Sequence, residues 1–279
     1  MKAHRLVSRM LVKAHAAIQG VEKTPVFVVG TQRSGTTLLI DILGKSPLCQ
    51  TFHEVDDRAM QDVRLRDEPV IKQLIQDDGH PLLIFKPIND SQYSEAFINT
   101  YDNSRIVWLY RDYNDVVNSA LVKWAEWQKK IVLWVREHYG DQDTPTDEPE
   151  KWLAIYRERI TPETVEALRR CADDELTNAE GAALLWYMRN QLYFDQQLED
   201  SDKVLLVRYE DMVRDPMVYI KRVFDFIGCP FKNNYAADVR TSSIAKKDQP
   251  ELRPSVRDLC NGLQQKLDAV YKQKRGDLQ

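Results

Sequence analysis

The run Val26-Phe27-Val28-Val29-Gly30-Thr31-Gln32-Arg33-Ser34-Gly35-Thr36-Thr37-Leu38-Leu39 narrows the possible folds more than any other stretch of this chain. Val26–Val29 reads as a buried strand of the parallel type. Thr36 to Leu43 reads as a helix with Leu38, Leu39, Ile42 and Leu43 inward, and Pro47 marks its end. Between them, Gly30 and Gly35 permit a tight turn. The backbone N–H groups at the start of the helix then face an anion, which the helix dipole favours. Gln32 and Ser34 lie in the same turn, Thr36 and Thr37 add hydroxyls, and Arg33 adds a fixed charge that bonds two oxygens at once.

Further strands are predicted at Leu82–Phe85, Arg105–Tyr110 and Lys203–Val207, with a weaker one over Cys49–Phe52. Helices are expected after Arg111, from Pro216 to Ile227 and from Val256 to Tyr271. Strands alternating with helices predict an α/β three-layer sandwich around a parallel sheet of four to five strands. Ligands of such sheets bind beyond the carboxyl ends of the strands. Polar chemistry gathers at four such ends: 30–37, 86–89, 111–119 and 208–211. Residues 121–200 read as mainly helical, with an exposed acidic loop over Gly140–Glu150. Trp124, Trp127, Ile131, Trp134 and His138 follow helical spacing, as a core stripe or as the wall of an apolar pocket.

Composition removes other classes. With 10 glycines in 279 residues, collagen-like, propeller and Gly-linker architectures are poor fits. The net charge of −4 disfavours a general nucleic-acid binder. Cys49, Cys171, Cys229 and Cys260 are scattered, as are the histidines, so neither a disulfide framework nor a metal site is expected, and a cytoplasmic setting fits. No apolar run is long enough for a membrane span. Leu6, Val7, Met10, Leu11 and Ala14 predict an amphipathic helix within residues 1–24, packed on the body or lying on a partner or membrane surface.

The spacing Gly-x4-Gly matches the loop of nucleotide triphosphatases, but Thr36 stands where that motif requires lysine. The segment Val28–Leu38 instead resembles the 5′-phosphosulfate loop of sulfotransferases. Those enzymes share a P-loop-type fold and use 3′-phosphoadenosine 5′-phosphosulfate (PAPS) as donor, leaving 3′-phosphoadenosine 5′-phosphate (PAP). Cytosolic members carry lysine at the position of Arg33, whereas the tyrosylprotein branch and many bacterial members carry arginine. On this resemblance Gln32, Arg33, Ser34, Gly35, Thr36 and Thr37 bind the donor. The whole of 1–279 is then one domain, with the helical insertion on the acceptor side.

By spacing alone, Arg111 pairs with Asp115 at a helix start. The segment Arg111-Asp112-Tyr113-Asn114-Asp115-Val116-Val117-Asn118-Ser119 also resembles the family's 3′-phosphate segment, which implies that Arg111 and Ser119 hold that phosphate while Asp115 is structural. Val207–Pro216 resembles a further family segment and implies Tyr209 near the adenine; Glu210 and Asp211 read as helix-start acids. Thr241–Ile244 resembles, more loosely, a late segment beside the 3′-phosphate, implying Ser242, with Lys246 and Lys247 following. The resemblance covers roughly residues 25–55, 82–125 and 180–270.

Sulfuryl transfer needs in-line geometry, donors for the charge on the leaving phosphate, and a base for the acceptor proton. Arg33 and Lys86 supply the charge; Lys86 ends a strand where the family also has lysine. Cytosolic members place a histidine two residues beyond that lysine, but here the residue is Ile88. In the tyrosylprotein branch a glutamate after the loop helix is the base, and Glu54 stands at the matching position. His53 is the neighbouring alternative, and Glu54 also reads as a first-turn acid of a helix from Val55 to Leu65.

The expectation is therefore a sulfotransferase acting on a hydroxyl acceptor, a small molecule or a carrier-bound intermediate, without nucleic acid or metal. The alternatives are a non-catalytic adenosine-bisphosphate binder, a P-loop nucleotide kinase and a structural interaction protein.

Overall fold

The computed structural model describes residues 22–124, 126–143, 145–242 and 244–276. The helix expected within 1–24 lies outside the described residues except for 22–24, of which Thr24 already opens the first strand. The chain divides into two compact units. One holds the residues through Gly30 with Gly35–Leu109 and Ser201–Thr241; the other holds Thr31–Ser34, Tyr110–Asp200 and the residues from Ser242 on.

The first unit is built on a sheet of five strands flanked by helices. Its strands are β1 (Thr24–Gly30), β2 (Cys49–Phe52), β5 (Leu82–Phe85), β6 (Arg105–Tyr110) and β7 (Val204–Arg208), in the order β2-β5-β1-β6-β7. The β2–β5, β5–β1 and β1–β6 pairs are parallel. Val26, Phe27, Val28 and Val29 are wholly buried, as a central strand covered on both faces requires. The chain adds β2 and β5 on one side of β1 and β6 and β7 on the other, so the order reverses at β1. That is the place where open α/β sheets bind ligands. Phe52, Phe85, Phe27 and Phe97 stack in a row across the sheet, with centroid separations of 4.8, 5.4 and 4.5 Å. Helices α1 (Thr36–Leu43), α2 (Glu68–Asp77) and α3 (Ser94–Thr100) belong to this unit.

The helix expected from Val55 to Leu65 does not form. A turn carries the chain to a short hairpin of β3 (Met60–Gln61) and β4 (Arg64–Leu65), with Asp62 and Val63 at φ 52° and 54° between them. Two contacts outweigh the helical spacing. The Asp56 carboxylate accepts from the Arg58 backbone N–H and guanidinium, which favours a turn. The buried Asp90 carboxylate accepts from Leu65 N and Arg64 Nε at 2.7 Å each.

The second unit is helical, comprising α4 (Tyr113–Trp124), α5 (Trp127–His138), α6 (Glu150–Ala154), α7 (Pro162–Cys171) and α8 (Asn178–Asp195). The first unit resumes with α9 (Tyr209–Arg214) and α10 (Pro216–Phe226), and α11 (Pro254–Gly276) completes the second. Residues 121–200 are mainly helical, as expected, and the second unit also takes in the start of α4 and the helix α11. Helix α8 packs against α4, α5 and α11, and 12 of its 18 residues are buried. A helix surrounded in this way needs no polar face. The tryptophan stripe is not one helix, because α4 ends at Trp124 and α5 begins at Trp127. Ile131 and Trp134 are core residues of α5. No helix among the described residues is long and apolar enough to cross a membrane.

Candidate functional site

The loop between β1 and α1 has the geometry its glycines foretell. Gly30 has φ +132°, and a Cβ there would lie 2.2 Å from the carbonyl oxygen of Leu109. Gly35 has φ +94°, and a Cβ there would lie 2.3 Å from the Tyr209 ring. Arg33 takes φ 69° without being glycine, a conformation that concentrates at ligand-binding turns. The Ser34 hydroxyl is fully buried and has no hydrogen-bond partner among the described residues. A buried donor beside a helix start fits an anionic ligand.

In the first unit, Lys86 ends β5 and is 2% exposed. Its ammonium donates to Thr37 Oγ1 at 2.7 Å and to Glu54 Oε2. Burial pushes the Glu54 carboxyl up, but the hydrogen bond and charge of Lys86 outweigh it, and the pKa lies below the usual 4.5. Glu54 is therefore ionised near neutrality. Its side chain is still 35% exposed and open to solvent. His53 takes another direction, with Nε2 3.4 Å from Asp41 Oδ1. Tyr209, expected near the adenine, opens α9 with its ring against Gly35.

In the second unit, Arg33, Arg111, Ser119, Ser242, Lys246 and Lys247 line one cleft of about 320 Å³. Arg33 Nε donates to Ser119 Oγ at 2.8 Å, and Arg111 Nη1 donates to the Arg33 carbonyl at 3.3 Å. Arg111 Nη2 lies 3.3 Å from Asp115 Oδ2. The spacing-based pairing of Arg111 with Asp115 and the expected convergence of Arg111 with Ser119 both occur. Gln32 Nε2 donates to the Tyr156 hydroxyl at 2.9 Å. Four cations around one cleft suit an anion of the charge of a phosphate monoester.

Several supporting residues carry no sequence signal. Ser91 Oγ accepts from Gly30 N–H at 3.2 Å and lies 3.0 Å from the Gly30 carbonyl, fastening the first loop residue. Trp186 Nε1, on α8, donates to the Arg111 carbonyl at 2.9 Å. Tyr156 is buried, and the Arg189 guanidinium lies 5.5 Å from its ring centre. These partners are 61, 75 and 33 residues apart in the chain, so local patterns do not reveal them. Among the described residues no group of three or more His, Cys, Asp or Glu is placed to hold a metal ion.

The chain is similar to several known proteins, and the first of them shares this fold. A sulfotransferase domain from the curacin biosynthetic pathway superposes with a TM-score of 0.56 at 14% identity, covering 87% of this chain and 98% of that one. A mouse sulfotransferase, SULT7A1, solved in complex with PAP, gives a TM-score of 0.41 at 14% identity, over 93% of this chain and 88% of that one. Cytosolic sulfotransferase 7 of Arabidopsis thaliana is 44% identical over 39 residues, which is 14% of this chain and only 12% of that protein. The sulfotransferase domain family matches residues 23–251, a span that runs through both units. By that match, over most of its length, the chain belongs to the sulfotransferase domain family.

Proposed function

We propose that this chain transfers a sulfuryl group from PAPS to a hydroxyl acceptor, with Glu54 as base and Lys86 as the main charge donor. The observation that carries the reading is the double engagement of Lys86, with Thr37 at the start of the loop helix and with Glu54. It ties an anion-binding loop to a carboxylate through one buried cation.

In this mechanism Gln32, Ser34, Gly35, Thr36 and Thr37 hold the phosphosulfate end of the donor. Arg111, Ser119 and Ser242 hold the 3′-phosphate. Arg33 belongs by its place in the loop to the phosphosulfate, and by its bond to Ser119 to the group around Arg111. The acceptor oxygen attacks sulfur, the bond from sulfur to the 5′-phosphate oxygen breaks, and PAP leaves. The acceptor proton passes to Glu54. As charge grows on the leaving oxygen, the Lys86 ammonium turns toward it, and Glu54 becomes a stronger base as that cation withdraws. The bond from His53 toward Asp41 favours Glu54 over its neighbour for this role.

The acceptor is a hydroxyl of a small or carrier-bound molecule, and the setting is cytoplasmic, which free thiols at all four cysteines support. Labelled PAPS offered with a panel of simple phenols and alcohols tests the reading. Transfer that falls steeply, without vanishing, in Glu54→Gln and Lys86→Ala supports it. Tight PAP binding with no transfer to any acceptor would point to a binding protein instead.

A further inference from the structure

Helix α4 presents Asp115 and Asn118 three positions apart, hence on one face. Asp115 Oδ2 accepts from the Ala245 backbone N–H at 3.1 Å. Asn118 Nδ2 donates to the Asp248 carbonyl at 2.9 Å. The two bonds bracket Lys246 and Lys247, both of which line the cleft with Arg33, Arg111 and Ser119. Ala245 has φ +46°, a left-handed conformation that an alanine keeps only when held there.

Asp115 also lines this cleft, and a carboxylate there repels an incoming anion. A repulsive group in a binding cleft needs a compensating task. The same Oδ2 that fastens Ala245 lies 3.3 Å from Arg111 Nη2, so a single oxygen sets both the guanidinium and the lysine segment.

We propose that Asp115 and Asn118 are positioning residues: they latch the Ala245–Asp248 segment so that Lys246 and Lys247 discriminate for a 3′-phosphorylated nucleotide. The proposal rests on the donor reading above. It adds two lysines to the phosphate group and makes their placement depend on α4.

Calorimetric titration with adenosine 3′,5′-bisphosphate and with adenosine 5′-monophosphate tests it, because the ratio of the two affinities isolates the 3′-phosphate. Asn118→Ala and Asp115→Ala are each expected to lower that ratio about tenfold while the monophosphate binds as before. A merely structural role would weaken both ligands together. Asp115→Asn keeps an acceptor for Ala245 N–H and retains most of the ratio. The pair Lys246→Ala/Lys247→Ala lowers the ratio as well, and adding Asn118→Ala to it costs nothing more.

An Asn118→Ala chain with the wild-type ratio overturns the latch, and it decides alone should Asp115→Ala not fold. So does an Asp115→Asn chain as impaired as Asp115→Ala, or an Asn118→Ala loss undiminished without the lysines. A wild-type chain that binds both nucleotides alike, or neither, overturns the donor reading and the latch with it.

Discussion

Lys86 meets Glu54 from a position almost sealed from water, and the carboxylate it holds remains partly open to solvent. A buried ammonium is stable only with such partners. One group is thus fixed and charged, and the other is charged and reachable, as a charge donor and a proton acceptor need to be. Replacing Glu54 by Gln removes the acceptor while keeping the shape. Turnover is expected to fall by about 10²- to 10⁴-fold with PAP affinity nearly unchanged. Steady-state kinetics beside a PAP titration would show it, and equal losses in both would refute the base assignment.

The pH profile follows from the same pair. Only ionised Glu54 accepts a proton, and its pKa lies below the usual 4.5. Activity is therefore expected to hold as pH falls through mildly acidic values and to drop only below that figure. In Lys86→Met the lowering influence is gone while burial, which raises the pKa, remains. The acid limb should then move up, above its wild-type position. A limb that stays in place would mean that Lys86 does not govern Glu54.

Arg33→Ala should nearly abolish turnover. Loss of one preorganised donor costs about 10²- to 10³-fold on its own, and here the bond to Ser119 goes too. Arg33→Lys keeps the charge but not the forked geometry, and should recover only part of the loss. Wild-type rates in Arg33→Ala would show that the loop does not serve the donor.

Gly35→Ala is expected to destabilise the first unit by about 1–2 kcal/mol from backbone conformation alone, with a further loss from contact with the Tyr209 ring. Combining it with Tyr209→Ala removes the contact but not the backbone cost. Denaturant midpoints of the two singles and the double would separate the parts, and purely additive losses would place Tyr209 away from Gly35.

Glu180 offers a test in the second unit. Its carboxylate accepts from Thr177 N and from the Arg253 backbone and guanidinium, at 2.8–2.9 Å. Burial raises its pKa, but these bonds prevail and the value sits below 4.5. A folded-state pKa that is depressed gives stability above the unfolded value and loses it as pH falls through the folded one. Glu180→Gln should lower stability near neutrality by about 1–2 kcal/mol. It should also flatten the decline in acid, and an unchanged acid limb in thermal melts would count against this.

Much of the fold was legible because the central strands are short buried runs, each closed by a glycine or a cation. Val29-Gly30, Phe85-Lys86 and Tyr110-Arg111 show this, and they place the loop, the cation and the guanidinium at strand ends. The hairpin over Met60–Leu65 was not legible, since helical spacing there loses to a carboxylate 25 residues away at Asp90. Nor was the docking of α11 on α8, because nothing local to α11 announces it. The cleft was half legible. Arg111 and Ser119 were expected together, whereas the hold of Trp186 on the Arg111 carbonyl spans 75 residues and leaves no pattern.

Gly30 and Gly35 differ in what heredity can do with them. The obstacle at Gly35 is a side chain, so a second change at Tyr209 eases any replacement there. The obstacle at Gly30 is the peptide oxygen of Leu109, 2.2 Å from where a Cβ would stand. Every residue at position 109 carries that oxygen, so no substitution there repairs a loss at Gly30, and the lineage can leave that glycine only by rebuilding the strand pair itself.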